Sequence, residues 1–485
     1  MQDNKSRLEE IIRRNNPKGV VLYPPTLGWS YAHQRPQQIM KAAADAGYLA
    51  VFCTTQPEQD HVRDGLQKVH DRLYICDGIE GLAGLRNPIL YITWPLHDVH
   101  IPQFRDPVVW YDCIDDISLF AQELEPSKRE AMMIADARLT CEADIVTATA
   151  DVLLHQKRRL RPDTILVENG VVPSDFDRVV RESEIPTDIK TIKEQGKPII
   201  GYYGALANWF DYAKVIEIAR RRPDWNIVLI GMDYEGSLQR NKAALDACPN
   251  IHFLGRKDYE QLYKYSACFD VGLIPFVQNK IIEATNPVKM FEYMAAGIPI
   301  VSVDVPEVRK YHREVLTATT TSEYIAQIER AIYLRRDPNY RCMLRETAQR
   351  SSWNERVKLL EGEMDSHLSE KRLGKSGLGH AAITEMSTRM NHALSRGEYA
   401  TAITYVLELR DAGVRCPWLF FNYAQALRLQ GEYRGAVWAL QEELRTNRDP
   451  YVFTHLADVH TQLGNPREAQ KYRQGAMTAG APTHS

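Results

Sequence analysis

Short β-branched or aromatic runs alternate with helix-like runs from about residue 18 to about residue 350, and this alternation constrains the fold more than any other feature of the 485-residue chain. In the first half the strand-like runs are GVVLYPP (19–25), YLAVFCTT (48–55), RLYICDG (72–78), PILYITW (88–94), PVVWYD (107–112), DIVTATA (144–150) and TILVENG (164–170). Helix-like stretches such as PQQIMKAAADAG (36–47) separate several of them, which is the pattern of a parallel sheet covered on both faces.

The theme repeats in KPIIGYYG (197–204), WNIVLIG (225–231), IHFLG (251–255), DVGLIPF (270–276) and IPIVSVD (298–304). An α/β fold with two Rossmann-like domains is therefore expected, the first over 1–172 and the second, with a closing helix, over 173–366. The stretch 173–196 between them carries no strand signal. Ligands in doubly wound folds bind beyond the carboxyl ends of the strands, so chemistry is expected in the cleft between the domains.

Beyond residue 366 the strand pattern stops. HLSEKRLGKSGLGH (367–380) has the Gly, Ser and charge content of a linker. After it Gly397, Tyr399 and Ala402 recur as Gly431, Tyr433 and Ala436, a step of 34 residues, and Gly464 with Ala469 follows 33 later. That period and residue set is the signature of a tetratricopeptide module, so 381–485 is expected to be all-α and to serve protein partners.

Lysine and arginine number 60 against 63 acidic residues, so bulk charge gives no reason to expect a nucleic acid partner. The eight cysteines form no Cys-x-x-Cys pair, which suits reduced thiols. The N-terminal stretch lacks the apolar core of a signal peptide, and no run reaches the roughly 18 apolar residues of a transmembrane span. A cytoplasmic location is expected, with peripheral contact at the inner membrane face left open.

The most informative segment is Thr285 to Ile300. Asn286 suits a helix N-cap and Pro287 the first helical position, with Gly297 at the far end. Lys289 and Glu292 then share one face near the positive helix end, where a carboxylate can hold ribose hydroxyls and a lysine can meet phosphates. A surface ion pair is the plainer alternative.

This segment resembles the nucleotide-binding helix of two-Rossmann (GT-B) glycosyltransferases, particularly bacterial family-4-like enzymes with Asn-Pro-x-Lys-x-x-Glu-Tyr-x-Ala-x-Gly-x-Pro. The resemblance extends to Gly201-Tyr-Tyr-Gly204, Trp209-Phe-Asp211, Phe253 to Lys257, Ser352-Trp353, Trp29, Gln34 to Gln37, Tyr111 to Asp116 and Glu168 to Val171. It implies that Glu292 holds the donor ribose, that Gly201 and Gly204 admit backbone amides to the diphosphate, and that Arg256, Lys257 and Lys289 balance its charge. The family's first glutamate position is Ala284 here, leaving Glu283, Asn286 or Thr285 to touch the donor sugar.

In the first half, His33 is a candidate base or sugar-orienting group, and Trp29, Arg35 and Asp115 are candidate acceptor ligands. Asp112, with Asp115 and Asp116, is expected to line the acceptor side of the cleft or to cap a helix, not to hold a metal. The expected activity is transfer of a sugar from a UDP-, GDP- or dTDP-sugar to a glycan or protein acceptor, with retention of configuration and without a metal. The competing class is a degenerate fold kept as a scaffold for protein interactions.

Overall fold

The computed structural model describes residues 4–31, 33–63, 65–373, 380–414 and 418–479. The first sheet contains β1 (Val20–Tyr23), β2 (Leu49–Cys53), β3 (Leu66–His70), β4 (Leu73–Cys76), β5 (Ile89–Ile92), β6 (Val108–Cys113), β7 (Ile145–Ala148) and β8 (Ile165–Leu166), in the spatial order β3-β4-β2-β1-β5-β6-β7-β8. All neighbours are parallel except the β3–β4 hairpin. The second sheet contains β9 (Ile199–Tyr203), β10 (Asn226–Ile230), β11 (Ile251–Phe253), β12 (Val271–Ile274), β13 (Ile300–Val303) and β14 (Val315–Ala318), in the order β11-β10-β9-β12-β13-β14 and wholly parallel. The chain order reverses beside β1 in one sheet and beside β9 in the other, which puts the loops after these strands at the switch points where such folds bind ligands.

Burial follows the period of two. Along β1, Val20 and Leu22 enter one core while Val21 and Tyr23 enter the core on the opposite face. β3 and β14 carry no apolar run long enough to stand out in the sequence. β3 is an edge strand with an exposed far end, and β14 is a four-residue VLTA segment.

The closing helix Trp353–Leu373 corrects two boundaries. Its buried residues Trp353, Val357, Leu360, Met364 and Leu368 are spaced at three and four, and they pack with Val21, Tyr23 and Ile39 in the first domain. Residues 353–366, grouped by sequence with the second domain, therefore complete the first. Residues 367–373, expected as linker, continue the same helix, and 374–379 lie outside the described residues.

The two crossings between domains pair with each other. Val171 N donates to Ser351 O at 3.2 Å and Trp353 N to Val171 O at 3.0 Å. A side chain at Gly170 would bring a Cβ within 2.7 Å of Ser351 O, so the glycine is what lets the segments close.

The C-terminal region comprises six described helices, His380–Ser395, Tyr399–Asp411, Leu419–Leu429, Tyr433–Thr446, Pro450–Gln462 and Pro466–Ala479. The recurrent Gly397, Gly431 and Gly464 each adopt a left-handed φ, of 74°, 80° and 72°, at the turn ending the preceding helix. Ala402, Ala436 and Ala469 are buried one turn later. The region is seated on the first domain: Cys141 and Leu160 share its apolar core, Arg434 forks onto Glu130, and Tyr423 donates to Leu160 O at 3.0 Å.

Candidate functional site

Three glycines form a seam at the carboxyl edge of the second sheet. Gly204 follows β9, Gly231 follows β10, and Gly255 lies just beyond β11. Gly204 N donates to Ile230 O at 2.9 Å, and Gly231 N to Gly255 O at 3.0 Å. All three have positive φ, and a Cβ at Gly231 would lie 1.8 Å from Gly204 O. The seam exposes backbone where side chains would otherwise stand in the way.

Lys289 closes one side. It lies on the helix Val288–Ala295, and a Cβ at Gly204 would come within 3.0 Å of its Cε. Its Nζ stands 5.3 Å from the Tyr202 ring centroid and 4.8 Å from that of Phe276. One turn on, Glu292 is 8% exposed, with the Tyr203 hydroxyl beside it and Asp175 adding negative field. Burial raises the Glu292 carboxyl and lowers the Lys289 ammonium, and each partly offsets the shift of the other. Glu292 is thus buried and Lys289 part-buried at the switch point, and the two are no surface ion bridge. Two desolvated polar heads beside exposed backbone suit a ligand that carries hydroxyls and an anion together.

Several expected residues prove to be structural. Gly201 lies inside β9, where a Cβ would strike the Phe269 ring at 2.2 Å; it serves sheet packing and offers no turn to a diphosphate. Asn286 is not the N-cap, a position held by Pro287. Instead its Oδ1 accepts from Asn169 N at 3.1 Å, its carbonyl accepts from Asn169 Nδ2 at 2.6 Å, and its Nδ2 donates to Glu307 at 3.2 Å. Lys257 pairs with Asp188 at 2.8 Å, so its charge is already matched. Glu283 is exposed at the end of the short helix Lys280–Glu283, and Thr285 donates its hydroxyl to Ile281 O at 2.8 Å. Neither joins the group around Glu292.

Arg35 and Asp112 are corrected in the same way. Arg35 Nε donates to Asp112 Oδ2 at 2.7 Å and Nη2 to Oδ1 at 3.1 Å, while Tyr91 and Thr147 donate their hydroxyls to the same carboxylate. Arg35 Nη1 also reaches Glu168 O and Asn169 Oδ1. Both side chains are buried, with every oxygen of Asp112 engaged, so they hold β6 to the domain crossing and present nothing to an acceptor. Asp115 lies two residues beyond β6 and is exposed. Asp116 caps the following turn through Ser118 N and Leu119 N.

Arg256 is exposed and donates to Tyr31 O at 2.7 Å, reaching from the second domain to the loop after β1. In that loop Trp29 is half-buried against Phe52, and its backbone N donates to Asp60 at 2.7 Å. His33 stacks on Tyr259 of the second domain at 4.5 Å and 10°, and its Nε2 lies 2.8 Å from Lys41 Nζ. Nε2, one of the two nitrogens a base could use, is thus already in contact with Lys41. Sequence reasoning passed over Gly231, Tyr203, Asp175, Tyr259 and Lys41. Only Gly231 carried a signal, because it ends a strand-like run just as Gly204 does.

Among the described residues no group of three or more His, Cys, Asp or Glu is placed to hold a metal ion, and no helix is long and apolar enough to cross a membrane. The seven described cysteines are free; Cys416 lies outside the described residues.

Residues 197–333, which include the glycine seam, Lys289 and Glu292, match the family described as glycosyl transferases group 1. A relative named as the glycosyltransferase TuaH of teichuronic acid biosynthesis in Bacillus subtilis (strain 168) is 27% identical over 278 residues, covering 55% of this chain and 68% of that protein. Among solved structures, sucrose-phosphate synthase from Thermosynechococcus elongatus aligns with a TM-score of 0.51 at 15% identity, over 73% of this chain and 98% of that one. Anabaena Alr3699/HepE in complex with UDP and glucose aligns at 0.50 and 14%, over 72% and 100%. An E. coli trehalose-6-phosphate structure bound with UDP-2-fluoro glucose aligns at 0.54 and 10%, over 71% and 98%. These likenesses show the GT-B fold.

Proposed function

We propose that this chain, a glycosyltransferase, moves a sugar from a nucleoside-diphosphate sugar to a glycan acceptor in bacterial surface polysaccharide synthesis. The observation that carries the donor half is the buried Glu292 and part-buried Lys289 set beside the Gly204–Gly231 seam at the switch point of the second sheet. The Glu292 carboxylate accepts the ribose hydroxyls, and the Lys289 ammonium meets the diphosphate over Gly204. Arg256 adds charge from the facing loop. UDP is the first nucleotide to test, because two structural neighbours are described with UDP or a UDP sugar.

In a retaining transfer the bond from the anomeric carbon to the diphosphate breaks as the bond to the acceptor oxygen forms on the same face. The acceptor proton passes to the departing diphosphate, so no side chain has to serve as nucleophile or strong base. His33, with its Nε2 lone pair occupied, fits that route better than a base mechanism. Cations supplied by Lys289 and Arg256 make the reaction metal-independent in this reading. The acceptor assignment rests on the relative named for teichuronic acid synthesis. Catalysis is placed in the cytoplasm, and the C-terminal helices are taken as tetratricopeptide-like repeats that orient a glycan or polypeptide partner. A scaffold without activity would have no use for two desolvated charges facing exposed backbone.

The test is release of nucleoside diphosphate from UDP-, GDP- and dTDP-sugars by the full chain, with and without a chelator. We expect one nucleotide series to be cleaved, at a rate the chelator leaves unchanged. Absence of binding and cleavage across all three series would leave only the scaffold.

A further inference from the structure

We infer that Lys41 is a positioning residue that fixes His33 as the Nδ1–H tautomer and holds it stacked on Tyr259, so that the acceptor-side loop meets the donor-side domain through a neutral, hydrogen-bond-donating imidazole. The inference deepens the glycosyltransferase reading and rests on it for its place in the reaction.

An ammonium can only donate. With Lys41 Nζ 2.8 Å from His33 Nε2, that nitrogen must accept, and the ring proton of a neutral imidazole is then on Nδ1. Lys41 rises from the helix Arg35–Asp45, and its Nζ also stands 5.7 Å from the Trp29 ring centroid, so a cation–π contact and the imidazole together fix it. On its other side the His33 ring lies 4.5 Å from Tyr259 at an interplanar angle of 10°, in the turn Tyr259–Gln261 of the second domain. Tyr259 itself lies in the field of Glu292 and Asp175. The chain of contacts runs Trp29, Lys41, His33, Tyr259 and thence to the proposed ribose site.

The groups facing this pair set its protonation. Lys41, Trp29 and Tyr259 surround the imidazole; burial lowers the Lys41 ammonium, and the carboxylates of Asp175, Glu260 and Asp45 oppose that shift. Burial first and the Lys41 charge second lower the His33 pKa to about 4. The imidazole therefore stays neutral across the physiological range, and its Nδ1–H remains a donor for an oxygen in the cleft.

The experiment is long-range nitrogen–proton NMR of the full-length chain labelled at histidine, with His33 assigned by its loss in His33→Asn. It needs no substrate, so it reports on the tautomer whether or not any sugar donor is found. We expect the Nδ1–H pattern in the wild type down to about pH 5. In Lys41→Met the pattern should change tautomer and titrate at a higher pH. Donor turnover at pH 5.5 relative to pH 8 should then fall by about threefold or more against the wild type, because a growing fraction of the ring is protonated. Lys41→Arg, which still donates, should keep the wild-type pattern. An Nε2–H pattern in the wild type, or an unchanged tautomer and pH profile in a folded Lys41→Met chain, would overturn the assignment.

Discussion

Glu292→Ala is expected to lower kcat/KM for the sugar donor by about 10²–10³-fold, equivalent to about 3–4 kcal/mol. The carboxylate would accept two ribose hydroxyls in a buried setting, and hydrogen bonds to a charged group contribute about 1.5–3 kcal/mol each. The same change should not unfold the protein. Burial already disfavours the charged form of Glu292, so removing it relieves a desolvated group, while the part-buried Lys289 loses only a partial offset; the two effects oppose each other and the thermal midpoint should hold. Because the raised pKa keeps the proton on at higher pH than for an ordinary carboxylate, nucleotide affinity in the wild type should weaken as pH falls through the weakly acidic range. That dependence should vanish in Glu292→Ala. Loss of turnover together with a lower midpoint would point to a packing role instead.

Asp112→Ala is expected to act the other way, on stability. Removing it strands the Arg35 guanidinium, together with the hydroxyls of Tyr91 and Thr147, in a site where both members of the pair are at most 5% exposed. Breaking one side of a buried ion pair costs about 3–5 kcal/mol. For a domain of this size that corresponds to a drop on the order of 10 °C in the midpoint of the first-domain transition. Calorimetry should follow that transition by itself, because a chain with several domains need not unfold in one step. Asp112→Asn, which keeps the shape and some acceptors, should lose less. If Asp112→Ala instead kept its midpoint and lost turnover, the carboxylate would have to touch substrate, as its place in the sequence first suggested.

What could be read from the sequence follows a physical rule. Lys289 and Glu292 were legible because a Pro-initiated helix after a buried strand fixes which turn faces the cleft, and that geometry is local. Gly204 was legible for a similar reason, since a glycine just past a parallel strand marks a bend other residues resist. Arg35, Asp112 and Asn286 were misjudged because their partners lie far away in sequence: Asp112 is 77 residues from Arg35, and Asn169 is 117 from Asn286. A buried pair and a cleft ligand look alike in a string of letters. The closing helix shows the same limit, for its apolar spacing predicts a buried face but not which of two domains will bury it. Lys41 gave no signal at all, since a lysine on an amphipathic helix is ordinarily a solvated one.

The most direct measurement is a crystal structure of the full chain with the nucleoside diphosphate that it binds. The account predicts density for the diphosphate beside Lys289 Nζ and the Gly204–Gly231 seam, with the ribose diol hydrogen-bonded to Glu292. A nucleotide bound elsewhere, with Glu292 still enclosed by Tyr203 and no ligand at the seam, would contradict it.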